Sequence, residues 1–145
     1  QLIDDLEHDL LACVTLAQTT EPNALRVLEC ILEAHLADVE GSRGVSFIIV
    51  AGAMSFKGIG LSDRIREMLD GYLESIKEVM RRGVGEGEFH ETLNVDAAAF
   101  IFLGMIQSTA TIWALNGYSW PLDQWRDQIL EIYKKGVAAP QQVPA

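Results

Sequence analysis

From Ala97 to Leu122, between Asp96 and Asp123, the chain carries no charged side chain, although charged residues make up 22% of its 145 positions. A helix that dispenses with charge on every side has to be covered on every side. About 20 apolar residues suffice to cross a bilayer. However, Gln107, Ser108, Thr109, Thr111 and Asn116 interrupt this run, aspartates flank both ends, and no Lys/Arg cluster sets an orientation. The run therefore reads better as a helix held between its own domain and a second copy of the chain.

At about 100° per residue the run divides into two apolar faces. Ala97, Ile101, Gly104, Ser108, Thr111 and Leu115 form a face of mostly small residues, which lets another helix approach closely. Ala99, Phe102, Ile106, Thr109 and Trp113 form a bulkier one that fills or lines an interior. This division suggests a dimer seam and a core on one helix; the central helix of a monomeric bundle is the alternative.

The length suits one domain with a real core. A formal net charge of −10, from 21 acidic and 11 basic residues, argues against gripping a phosphate backbone. The largest basic group, Lys77, Arg81 and Arg82, sits among glutamates as a solvated helix face, with Glu78 and Arg82 spaced for an ion pair. Cys13 and Cys30 lack zinc-knuckle spacing and are too few for a disulfide scaffold, so free thiols in a reducing cytoplasm are expected. The acidic start is unlike a signal peptide, and a beginning at Gln1 rather than Met reads as a truncation.

Apolar spacing predicts a helix over 2–18, with a stripe of Leu2, Leu6, Leu10, Cys13 and Ala17 and with His8 on the opposite face. Residues 19–22 supply cap residues and a first-turn proline for a second helix, to about 40. Its stripe is Leu25, Leu28, Leu32, Leu36 and Val39, with Arg26, Glu29, Glu33 and Glu40 on the charged side. Residues 45–56 are charge-free and fit a buried helix or a strand; their helical neighbours favour helix. Ser62 caps a long helix striped by Ile65, Leu69, Leu73, Ile76 and Met80, which Gly83, Gly85 and Gly87 close. Asn94 or Asp96 opens the charge-free helix, and Asn116-Gly117 ends it. A last helix follows Pro121, with Leu122, Trp125, Ile129, Ile132 and Tyr133 on one side. The expected fold class is all-α, a bundle of six helices without a sheet.

No P-loop, dinucleotide fingerprint, HExxH or GxSxG is present. Glu86 and Glu88 are expected to face water, and no two of the three histidines share a helical spacing suited to a metal. Neither catalysis, metal nor cofactor is expected. His35 falls within the apolar face of the second helix, either as an internally bonded core residue or as a polar group in an apolar pocket. Met54, Phe56, Phe102, Met105, Thr109 and Trp113 join it as candidate ligand contacts, since thioethers, aromatic walls and a hydroxyl suit a hydrophobic or aromatic small molecule.

Residues 82–89, RGVGEGEF, are followed by Asn94-Val95-Asp96 and three alanines, then by residues 103–108, LGMIQS, by Trp113-Ala114-Leu115 and by a closing Lys135-Gly136-Val137. In that order they resemble the C-terminal half of tetracycline-repressor (TetR) type regulators. The likeness is good over 73–137 and architectural over 2–60. Family members often carry glycine where Ser108 stands.

The resemblance implies a ligand-binding and dimerisation domain over 1–138; the tail over 139–145 has little to pack and is expected to be flexible. The last two helices would pair with their copies in a four-helix seam containing Ile101, Gly104, Ser108, Thr111, Leu115, Trp125 and Ile129. It further implies a cytoplasmic homodimer and a small effector, with no membrane partner. DNA would be met only through an N-terminal helix-turn-helix of roughly 45–50 residues, which nothing here matches. A small helical carrier or interaction module for a hydrophobic ligand or partner helix is the rival reading. An enzyme is the least supported, because no nucleophile, base and orienting group can be placed together.

Overall fold

The computed structural model describes residues 2–42 and 60–141. The 45–56 segment, with Met54 and Phe56, lies outside the described residues. Five helices follow in order: α1 (Leu2–Thr20), α2 (Ala24–Ser42), α3 (Leu61–Gly85), α4 (Val95–Leu115) and α5 (Asp123–Val137). Apart from an isolated antiparallel bridge between Phe89 and Ala138, the regular structure described is helical.

Helix α2 touches the other four helices and forms the axis of the domain. Its residues Val27, Leu28, Ile31, Leu32 and Leu36 are buried with Val14 and Ala17 of α1, Tyr72, Ile76 and Met80 of α3, and Phe102 and Ile106 of α4. Apolar residues at helical spacing on several facing helices account for most of this core. On α1 the stripe drifts by one residue, so that Val14 is fully buried and Cys13 only half. Both cysteines are free, and burial raises both thiols; Cys30, also bonded to Glu21, is pushed up to about 11.

Three expectations about helix ends and faces are corrected. Helix α3 is capped by Gly60 in the left-handed conformation, without a side-chain cap, and Ser62 lies inside the helix. Asn23, not residues 19–22, caps α2 by accepting from the Arg26 N–H at 2.9 Å. Glu88 does not simply face water: its two carboxylate oxygens accept from the N–H groups of Ala24 at 2.9 Å and Leu25 at 2.8 Å. Together these acceptors satisfy three N–H groups that have no partner within α2.

Arg82 complements this arrangement from the other side. Instead of pairing with Glu78, it binds Glu86 and donates to the carbonyls of Pro22 (2.9 Å) and Gln18 (3.4 Å). A cation thus sits at the C-terminal end of α1 and an anion at the N-terminal end of α2, each matching the local helix dipole. Gly83 stays helical rather than ending α3. A Cβ there would lie 2.3 Å from the Phe89 ring, so glycine is what lets the loop after α3 fold back onto the corner between α1 and α2. Gly87, at φ +75°, makes the turn.

Asn94 caps α4, accepting from the Ala97 N–H at 2.9 Å, and Gly117 in the left-handed region follows its end. Among the described residues, α4 is the one helix long and apolar enough to cross a membrane by length and composition. Packing within the domain accounts for part of that composition. Ala98, Ala99, Phe102, Ile106, Ala110 and Trp113 are buried within the domain, while the small-residue face points outward.

Candidate functional site

A cavity of about 40 Å³ lies where α1, α2, α3 and α4 meet. Leu6 and Leu10 come from α1, Met68 and Leu69 from α3, and Leu103 and Ile106 from α4, giving walls that are almost wholly aliphatic. His35 and Asp38 of α2, Tyr72 of α3 and Gln107 of α4 supply the polar groups. An adjoining cleft of about 270 Å³ between α1 and α2 shares Leu6, Leu10, His35 and Asp38 and adds Asp5, Asp9, Cys13 and Ala34. His35 therefore stands between the two spaces.

His35 Nε2 is hydrogen-bonded to the Tyr72 hydroxyl, with the rings edge to face at a centroid separation of 5.3 Å. Burial lowers the imidazole pKa to about 4 and raises that of the phenol, so both groups are neutral at pH 7. A neutral polar pair in an aliphatic wall can orient an uncharged polar atom of a ligand. Among the described residues no group of three His, Cys, Asp or Glu is arranged to hold a metal ion.

The other expected ligand contacts lie elsewhere. Phe102 is fully buried in the main core against Tyr133, whose hydroxyl donates to the Ala98 carbonyl at 2.7 Å. Trp113 packs with Val39, Ala110 and Leu122, and its indole N–H donates to the Trp120 carbonyl at 2.7 Å. Thr109 bonds to the Met105 carbonyl of its own helix and lines an aromatic pocket with Ile112, Trp120, Trp125 and Ile129. Met105 lines an outer groove between α4 and α5. Of the described candidates only His35 reaches the cavity. Tyr72 was missed, although a phenol on the apolar stripe of α3 facing a histidine on that of α2 is a usable signal, since buried polar groups need partners.

The outer surface of α4 and α5 is strongly apolar. Ile101, Gly104, Ser108, Thr111 and Leu115 are exposed along one side of α4, and Trp125 and half-buried Ile129 continue the surface on α5. Phe100 (65% exposed), Ile112, Tyr118 and Ile132 (74%) extend it beyond the residues expected. Two grooves, of about 470 and 300 Å³, run along it. Ile132 was read as sharing a side with Tyr133, but the helix turns Tyr133 and Val137 into the core and leaves Ile132 outside.

Residues 10–136 match the family model described as the C-terminal region of YsiA-like proteins, a TetR-type family. The chain belongs to the TetR family. This TetR-family domain is 25% identical over 137 residues to the fatty acid metabolism regulator protein of Bacillus subtilis (strain 168), an alignment that takes in 94% of the chain and 66% of the relative. The chain thus spans just under two thirds of that curated relative. The crystal structure of the B. subtilis regulator FadR in complex with stearoyl-CoA superposes with a TM-score of 0.79 at 22% identity, covering 93% of this chain and 74% of that one. The ketosteroid regulator KstR2 of Mycobacterium tuberculosis gives 0.76 at 19% identity, covering 90% and 66%. These superpositions show the TetR-type helical fold, and the relatives are regulators rather than enzymes.

Proposed function

We propose that this domain senses an apolar effector with an aliphatic portion, in a cytoplasmic TetR-type repressor. The aliphatic cavity lined by the neutral His35–Tyr72 pair carries the reading. Phe102 and Trp113 lie away from it, so the walls suit a flexible hydrocarbon better than an aromatic ring. A fatty acid metabolism regulator among the relatives, and stearoyl-CoA in the FadR complex, support an acyl chain. DNA contact would belong to the part of the relatives that this chain does not span.

The apolar face of α4 and α5 is the proposed seam of an isologous dimer, which would space two DNA-reading units. Coverage by a second copy completes the account of the charge-free helix. An effector acts through this arrangement only by binding one spacing of the units more tightly than another.

The sensing role is tested by titrating the chain with stearoyl-CoA and coenzyme A by calorimetry, beside a Leu103→Trp variant that fills the cavity. Saturable binding of the acyl form, absent with coenzyme A and reduced at least about tenfold by Leu103→Trp, is expected. Binding that ignores the substitution would place the ligand elsewhere.

A further inference from the structure

We infer that Arg64 is a latch holding the N-terminal half of α1 against α3, and that an effector opens the cavity by releasing it. The inference rests on the cavity being the effector site and adds how that site is kept shut. Arg64 lies in the first turns of α3, about one turn before the cavity residue Met68. Its Nε and Nη2 donate to Asp4 Oδ1 at 3.1 and 2.7 Å, and Nη2 also reaches Glu7 Oε2. Asp4 and Glu7 flank Leu6, a wall of the cavity, so the guanidinium ties α1 to α3 at the edge of the space.

The two ends of α1 are held differently. Its C-terminal half carries Val14 and Ala17 into the main core, and its last turn is fixed by Arg82 through the Gln18 carbonyl. In its N-terminal half, Ile3 and Leu6 pack in a separate small cluster around Ile65 and Met68, outside that core. Pockets that enclose drug-sized ligands run to about 300–1,000 Å³, whereas this cavity holds about 40 Å³. An acyl chain must therefore part its walls. Helices α2 and α4 and the C-terminal half of α3 share the main core, whereas the N-terminal halves of α1 and α3 meet in the separate cluster, so the least costly movement parts those two halves and pulls Asp4 and Glu7 from Arg64. Since Arg64 is about a third exposed, salt weakens the latch, and affinity for an uncharged ligand rises with ionic strength.

The test uses this chain and, as the probe, the uncharged aliphatic alcohol 1-decanol, titrated by calorimetry. Arg64→Met should tighten probe binding about three- to tenfold at low salt and remove the latch's share of the salt dependence. Arg64→Lys should fall between. Arg66→Met removes the same charge from a pair with Asp63 inside α3 and should behave as wild type; ordinary salting-out is common to all and cancels in the comparison. Hydrogen exchange over residues 3–12 should quicken in Arg64→Met while that over 13–20 holds. Wild-type exchange over 3–12 in Arg64→Met overturns the latch whatever the probe does. So does faster exchange with unchanged probe affinity, in a cavity that Leu103→Trp blocks. Probe binding that survives Leu103→Trp instead overturns the cavity reading, and with it the release of Arg64 by an effector there, whatever the exchange shows.

Discussion

Glu88→Ala deletes both acceptors at the start of α2, leaving the N–H groups of Ala24 and Leu25 without them. Ala24 is fully buried and Leu25 half-buried, so water replaces the lost partner poorly at the first and only partly at the second. A hydrogen bond to a charged group contributes about 1.5–3 kcal/mol, and losing a helix N-cap costs about 0.5–2 kcal/mol. Asn23 still serves Arg26, and the two bonds share one carboxylate, so they do not simply add. The expected loss is about 2–4 kcal/mol. Urea unfolding followed by circular dichroism at one protein concentration measures it, with a constant m-value showing that stability alone has changed. Glu86→Ala removes an exposed pair with Arg82 and should cost less than about 0.5 kcal/mol. Glu88→Gln, which keeps one acceptor oxygen, should fall between. Equal losses in Glu86→Ala and Glu88→Ala would refute the cross-chain cap.

Two further outcomes follow from the core and the outer face. His35 is held at about 4 in the fold against an ordinary 6.5, so between those values the unfolded chain binds more protons. Its contribution is complete above about pH 6.5 and is lost as pH falls towards 4, by about 3 kcal/mol. His35→Leu should flatten that part of the profile, read from urea midpoints between pH 4.5 and 7.5; an unchanged slope would assign it to other groups. Gly104→Glu and Ser108→Glu each place a charge on the proposed seam and should yield folded monomers by sedimentation velocity. A dimer indifferent to both would move the seam off this face.

Much of the fold was legible in local spacing. The positions of the five described helices, the two faces of α4, the Asn94 cap and the Asn116-Gly117 stop follow from signals within a few residues of each other. The order of motifs around RGVGEGEF also pointed to the family. The site was less legible, because angular spacing says which residues share a face but not what that face meets. Phe102 and Ile106 lie on one face of α4, yet Phe102 meets Tyr133 while Ile106 reaches the cavity.

The sequence by itself determined the helical periodicities, the turns and the division of α4 into an inward and an outward surface, since each depends on neighbours about four positions apart. Only the tertiary structure decided that Glu88 caps a helix 64 residues away, that Gly83 makes room for Phe89 and that Tyr72 meets His35. Those contacts depend on where whole helices cross. That crossing is set by the packing of the entire core, which no short stretch of the chain encodes alone.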